Sequence, residues 1–285
     1  MKITETAYAK INLGLDILGL RPDHFHEVAM VMQTVSLKDT VTLEPAEALT
    51  VTTDDPHLPA GPDNLAYKAA ELLGQFADIK PLVHIHIAKR IFMAAGLAGG
   101  SSDAAAVFRG LNRFWKLEVP AERLERLSAR LGSDIPFCIR GGTCLATGRG
   151  EVLTELPDLP ALPLILAKPK IAVPTPWAYR EYDKQKNIVH PDINALVEGV
   201  KAQNLEQILQ NCGNVLETVT VCKYPVLNQI KQIMREEGAR LALMSGSGPT
   251  VFGFTPDRET AEKIAEVLAP LDLELAVAST IGRSI

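Results

Sequence analysis

The stretch Ala94-Ala95-Gly96-Leu97-Ala98-Gly99-Gly100-Ser101-Ser102-Asp103-Ala104-Ala105-Ala106 constrains this chain more than any other. Its three glycines admit positive φ and let backbone approach a ligand with no Cβ in the way. Ser101, Ser102 and Asp103 are of the types favoured at helix N-caps, and the alanines that follow are the strongest helix formers. A glycine loop feeding a helix N-terminus presents free N–H groups and the positive end of the helix dipole, a combination that binds anions, phosphate above all. No lysine stands where G-x-x-x-x-G-K-[ST] requires one, and the spacing does not fit G-x-G-x-x-G. Taken alone, the stretch reads equally as an anion site or as a flexible turn ahead of a well-capped helix.

The surrounding chain narrows the choice. Its 285 residues suffice for two domains with their own cores, or one large one. A hydrophobic content of 47% with 22% charged residues is that of a soluble globular protein and excludes disorder. The formal net charge of −5 argues against sequence-independent nucleic-acid binding, while leaving room for a locally positive site that takes a phosphorylated ligand. Cys138, Cys144, Cys212 and Cys222 form no C-x-x-C pair and read as small buried hydrophobes in a reducing compartment. Thr4, Glu5, Lys10 and Asn12 interrupt any apolar signal segment, and no apolar run approaches the ~20 residues of a membrane span. A cytoplasmic protein without membrane or nucleic-acid partners is expected.

Periodicity predicts strands at 3–18, 28–35, 41–43 and 49–52, then a helix over 64–76. Val83-His84-Ile85-His86-Ile87 alternates as a strand leading into the glycine loop. Helices follow over 101–115, capped by its own serines, and 121–131, with a short helical turn after Gly132-Ser133-Asp134-Ile135-Pro136 and strands at 143–146 and 152–156. The run Leu156-Pro157-Asp158-Leu159-Pro160-Ala161-Leu162-Pro163 is the best domain boundary, dividing the chain into 1–156 and 157–285. Beyond it come a strand at 164–167, helices over 175–182, 193–202, 205–217 and 226–237, and strands at 239–244 and 250–254 flanking Ser245-Gly246-Ser247-Gly248-Pro249. A helix over 258–268 and a strand over 274–280 complete an α+β second domain.

Phosphoryl transfer needs positive charge near the transferred group and a receiver for the acceptor's proton. Lys10 lies inside an apolar strand, so it is either solvated on an edge or paired. Asp134 has the position of a helix N-cap. The two gain meaning only as a couple, a cation and a carboxylate that converge. Phe25-His26 could stack on and hydrogen-bond a heterocycle, or simply cover the core at a turn. His84 and His86 share a strand face with no third metal ligand in view. Ser245–Gly248 is either a plain hairpin turn or a second close approach of backbone to a ligand.

Three segments together resemble the GHMP kinases. Residues 95–106, in the form GLAGGSSDAAA, resemble their phosphate loop, and Met244–Phe252, MSGSGPTVF, resembles their third motif. Tyr8-Ala9-Lys10-Ile11-Asn12-Leu13-Gly14-Leu15, with Arg21-Pro22-Asp23-His24-Phe25-His26-Glu27, resembles the N-terminal signature of the 4-diphosphocytidyl-2-C-methylerythritol kinase family within them. The likeness runs from the first strand to beyond residue 250. It implies an α+β, two-domain GHMP kinase fold, with a ribosomal-protein-S5-domain-2-like N-terminal domain and a ferredoxin-like C-terminal domain. It also implies ATP with Mg²⁺ in a deep cleft, and phosphorylation of the 2-hydroxyl of a cytidine-diphosphate methylerythritol on the non-mevalonate route to isoprenoid precursors. On matching positions, Asp134 is the expected general base and Lys10 its partner. Ala94, Ala95, Gly96, Leu97, Ala98, Gly99, Gly100, Ser101 and Ser102 would wrap the ATP phosphates, with Asn64 and Lys89 near the adenosine. Asn12, Phe25, His26, Thr175, Pro176 and Tyr179 would bind the cytidine-tagged alcohol, Phe25 and Tyr179 sandwiching the base. No residue is assigned as a metal ligand, and the resemblance is compatible with monomer or homodimer. The chain departs from the family in carrying His24 and Phe25 where Gly and Tyr are common, and Phe92 where a proline usually opens the loop.

Two other functions fit parts of this pattern. A GHMP kinase for homoserine or mevalonate would have no base to stack on Phe25, His26 and Tyr179. A non-catalytic nucleotide sensor on the same fold would have no need of both Lys10 and Asp134.

Overall fold

In the computed structural model, which describes residues 2–283, the chain begins with two long antiparallel strands, β1 (Ile3–Leu20) and β2 (His26–Pro45). β2 is continuous where periodicity suggested two strands with a break between them. The residues of that apparent break are a register irregularity: Tyr8 pairs with Lys38 but Lys10 with Thr34, so β2 absorbs extra residues without ending. A second irregularity falls between Asn12 and Gly14. Lys10 and Asn12 therefore sit on a short stretch bounded by bulges, on one face two residues apart.

β3 (Thr50–Thr53) lies parallel to β4 (Val83–Ala88), with α1 (Leu65–Ala77) between them in sequence. The glycine loop leads into α2 (Gly99–Phe114), which packs across β1 and β2; α3 (Ala121–Ser128) and α4 (Ile135–Arg140) follow. The hairpin β5 (Thr143–Thr147) and β6 (Val152–Leu156) completes this part, and β2 carries β4 along Thr40–Pro45 and β5 along Met30–Gln33.

After the proline-rich run come β7 (Pro163–Pro169), α5 (Thr175–Tyr182), α6 (Ile193–Lys201), α7 (Leu205–Asn211) and a two-residue strand, β8 (Gly213–Asn214). Then follow α8 (Glu217–Lys223), α9 (Val226–Glu236), β9 (Leu241–Met244), β10 (Val251–Phe254), α10 (Arg258–Leu268) and β11 (Leu273–Ser279). The helix expected over 205–217 thus ends at Asn211, and α8 begins only at Glu217. Gly213 and Asn214 break it, and β8 pairs with Gly14 and Leu15 of β1, returning the chain to the first sheet. β11, β7, β10 and β9 form a second, fully antiparallel sheet in that order. Numbered within itself the order is 4-1-3-2, the split β-α-β arrangement of a ferredoxin-like domain.

The two sheets share a core. Ile11, Leu13 and Val31 from the first belong to one buried cluster with Leu164, Leu166 and Phe252 from the second. Burying six such side chains stabilises the junction by about 1.5–3 kcal/mol each, so the proline run marks a turn between sheets and not a solvated linker. Gln33 reinforces the junction by donating to the Ile281 carbonyl at 2.9 Å. Among the described residues no helix is long and apolar enough to cross a membrane.

Candidate active site

Lys10 is 4% exposed. A buried ammonium needs partners, and it has two: its Nζ donates to Asn12 Oδ1 at 2.7 Å and stands 3.8 Å from Asp134 Oδ2. Asp134 occupies the cap position of α4 but makes no side-chain capping bond. Its carboxylate, 35% exposed, is left facing both Lys10 and open space. A general base must combine a reachable lone pair with a fixed position, and this carboxylate has both. Asn12 is fully buried, its amide also directed at Met30 Sδ at 3.5 Å.

The glycine loop is tied down from several directions. The Lys10 N–H donates to the Leu97 carbonyl at 3.1 Å, and Ser102 Oγ donates to the Tyr8 carbonyl at 2.6 Å. α2 accordingly starts at Gly99, two residues ahead of the expected serine cap. Its cap residue is Ala98 in the left-handed region at φ 57°, and Ser102 is only 1% exposed. The serine cap expected from the sequence is therefore corrected: neither serine caps α2, because Ser102 is consumed holding β1. The loop's first N–H groups consequently have no side-chain cap and stay available to an anion.

The turn Ser245–Pro249 is the second backbone approach. Ser245 Oγ donates to the Gly96 carbonyl at 3.0 Å, and the Thr250 N–H donates to the Ala95 carbonyl at 3.4 Å. A Cβ on Gly96, whose φ is +73°, would lie 2.2 Å from the Ser245 carbonyl oxygen, so only glycine permits this contact. Asn214 braces the turn by donating to the Met244 and Gly246 carbonyls, both at 2.8 Å. Sequence reasoning missed Asn214, although Gly-Asn inside a helical pattern was a breaker signal.

Lys89 and Asn64, expected near adenosine, have structural partners. Lys89 Nζ donates to Asp39 Oδ2 at 2.5 Å and to Asp103 Oδ2 at 2.8 Å, all three residues being buried. Asp39 also accepts from the Arg90 and Ile91 N–H groups, at 2.5 and 2.8 Å, which fixes the start of the loop. Burial disfavours the Lys89 charge, but the two carboxylates outweigh it and hold its pKa above the ordinary lysine value. Burial pushes Asp103 up to about 7 despite Lys89. Asn64 caps α1, accepting from Ala66 N at 2.8 Å and donating to the Pro59 carbonyl at 2.6 Å. A cavity of about 410 Å³ opens at the loop entry, walled by Phe92, Met93 and Ala94, with Asp55 and His57 on one side and Ile171 on the other; Lys89 also borders it.

The base end is looser. Phe25 is 52% exposed, its ring covered by the Arg149 guanidinium at 4.8 Å. His26 lies 4.9 Å from the half-buried Tyr179 ring, tilted 36°, and its Nε2 is 2.7 Å from Asp183 Oδ1. Burial, with a smaller contribution from the Asp134 charge, raises the pKa of the Tyr179 hydroxyl. Thr175 and Pro176 are exposed at the start of α5, and Thr175 Oγ1 is 2.9 Å from Ser247 Oγ. His24 adopts φ 63°, a left-handed conformation that costs least for glycine. Among the described residues, no group of three or more His, Cys, Asp or Glu side chains is arranged for a metal ion.

A clasped glycine loop on the first sheet, an ion-paired carboxylate beside it and a ferredoxin-like second unit define a GHMP kinase fold. Family models described as GHMP kinases N terminal domain and GHMP kinases C terminal match residues 64–142 and 195–270. A 4-diphosphocytidyl-2-C-methyl-D-erythritol kinase of Bacillus pumilus is 47% identical over 266 residues, covering 93% of this chain and 92% of the relative. The enzyme of that name from Geobacillus thermodenitrificans is 48% identical over 257 residues, covering 89% and 88%. A crystal structure of 4-(cytidine 5'-diphospho)-2C-methyl-D-erythritol kinase superposes with a TM-score of 0.83 at 33% identity, over 98% of this chain and all of that one. A homoserine kinase of Cytophaga hutchinsonii, at 18% identity and TM-score 0.78 over 99% and 95%, shares the fold. The chain belongs to the 4-diphosphocytidyl-2-C-methyl-D-erythritol kinase family of the GHMP kinases.

Proposed function

We propose that this chain transfers the γ-phosphoryl group of ATP to the 2-hydroxyl of 4-diphosphocytidyl-2-C-methyl-D-erythritol. The observation that carries the reading is the Lys10–Asp134 pair: a buried ammonium 3.8 Å from an uncapped, half-exposed carboxylate, beside a loop with free N–H groups. Residues 94–102 seat the polyphosphate, and the purine enters the cavity walled by Phe92 and Met93. The hydroxyl oxygen attacks the γ-phosphorus, the bond to the β,γ-bridging oxygen breaks to release ADP, and the hydroxyl proton passes to Asp134. In a loose transition state the proton leaves late, so holding the alcohol in line matters as much as basicity. Lys10 fixes the Asp134 carboxylate and supplies positive charge where oxygens gain negative charge. Mg²⁺ bound with ATP would supply positive charge to the phosphates; because Asp39 and Asp103 are occupied by Lys89, the ATP phosphates themselves would be its main ligands. Phe25, His26 and Tyr179 receive the cytosine ring, with Thr175 and Pro176 lining that pocket and Asn12 near the diphosphate or methylerythritol.

The test is a substrate panel with purified protein and Mg-ATP. Turnover of the cytidine-diphosphate alcohol should exceed that of homoserine, galactose and mevalonate. Equal or better turnover of any of these would overturn the reading.

A further inference from the structure

The face of α5 that meets His26 holds the imidazole twice. Tyr179 and Asp183 are four residues apart, the spacing that stacks side chains on one helix face. The first presents its ring to the imidazole at 4.9 Å, and the second puts Oδ1 2.7 Å from Nε2. Asp183 is the C-cap of α5, where the helix dipole opposes a negative charge. A carboxylate in that position needs compensation, and the His26 N–H is the hydrogen bond it makes.

This contact decides which nitrogen carries the proton. An ionised carboxylate only accepts hydrogen bonds, so Nε2 must be the donor. A neutral imidazole has a single N–H, which leaves a lone pair on Nδ1. Among the described residues Nδ1 has no hydrogen-bond partner, and the His26 side chain is 11% exposed, so that lone pair is held in place. A pyrimidine base presents either a 4-amino donor, as cytosine does, or a 4-carbonyl acceptor, as uracil does. A fixed acceptor pairs with the first and faces the lone pairs of the second.

We infer that Asp183 is a positioning residue that locks His26 as the Nε2–H tautomer, and that this lock selects an aminopyrimidine base over an oxopyrimidine. The inference rests on the proposed cytidine-tagged substrate and extends it from which residue reads the base to what makes that residue legible. Without Asp183, His26 can also adopt the Nδ1–H tautomer, whose donor accommodates a 4-carbonyl. The loss is therefore one of discrimination, and phosphoryl transfer itself, which depends on Lys10 and Asp134, is not where the effect falls.

Two measurements test this. Nitrogen-15 NMR of the free protein above pH 7.5 should show His26 with Nε2 protonated and Nδ1 bare; a protonated Nδ1 as the main neutral form overturns the inference without any variant. Steady-state kinetics should then compare the cytidine substrate with its uridine counterpart. Replacing one hydrogen bond by a buried acceptor left unpaired should give a wild-type preference in kcat/KM of about 100-fold, falling to about tenfold or less in Asp183→Ala. An unchanged preference in a folded Asp183→Ala variant overturns the role of Asp183 alone. A wild-type enzyme that turns over both substrates equally overturns the cytidine reading, and the inference with it.

Discussion

Two buried lysines flank the glycine loop, and they are put to opposite uses. Lys10, on β1, faces one carboxylate at 3.8 Å that is itself 35% exposed. Lys89, beyond β4, is gripped at 2.5 and 2.8 Å by two carboxylates that are almost completely buried. The Lys89 cluster spends its hydrogen bonds on the protein: Asp39 anchors the N–H groups of Arg90 and Ile91, and Asp103 lies in the second turn of α2. The Lys10 pair keeps one partner open to solvent. Both lysines stand next to the phosphate loop. Under the proposed function, what separates the catalytic ion pair from the structural one is whether the carboxylate can still be reached.

The comparison breaks most visibly at Asp134. Asp134→Asn should lower kcat about 10³-fold, at the centre of the 10²–10⁴ range for a general base, while calorimetry shows ATP binding intact. A rate within tenfold of wild type would mean that the open carboxylate is not the proton receiver. At Lys89 the effect should be on the fold. Lys89→Met leaves Asp39 and Asp103 facing each other without a cation, and breaking a buried pair in this way costs about 3–5 kcal/mol. Urea unfolding should show this loss, whereas Lys10→Met should lose rate with a far smaller change in midpoint. A stable but inactive Lys89→Met would reverse the contrast. Smallest should be Phe25→Ala at the loose base end. Losing one aromatic face, worth about 0.5–1.5 kcal/mol, should raise KM for the cytidine substrate about two- to thirteenfold and leave KM for ATP alone. A matching rise for ATP would show that the two ends are not independent.

The sequence displayed the parts that are local. The glycine loop, the alternation of β4 and the helix over 258–268 are short-range patterns, and the structure has them where the residues suggest. Lys10 was conspicuous because an ammonium inside an apolar strand needs an explanation; its meeting with Asp134, 124 positions away, was pointed to by the resemblance and not by any spacing. Long-range partners left less trace. Asp39 looks like a surface residue between Lys38 and Thr40, and nothing near it announces Lys89 at 50 positions' distance. Ser101 and Ser102 have the residue type of caps without acting as caps, because capping propensity describes an isolated helix end, whereas here the Tyr8 carbonyl competes for Ser102. Asn214 was absorbed into a helical period that two residues of β-pairing override.

Gly96 and Ser245, joined through the contact of the loop with the later turn, are 149 positions apart. During synthesis β1, β2, β4 and α2 can assemble early, since domains fold as units from the N-terminal side, while β8 joins their sheet only later. The nucleotide seat nevertheless remains unfinished until the ribosome has released residues past Thr250, because the turn that braces Gly96 is made among the last strands. A prematurely terminated product would carry the glycine loop without the Ser245 contact that braces it.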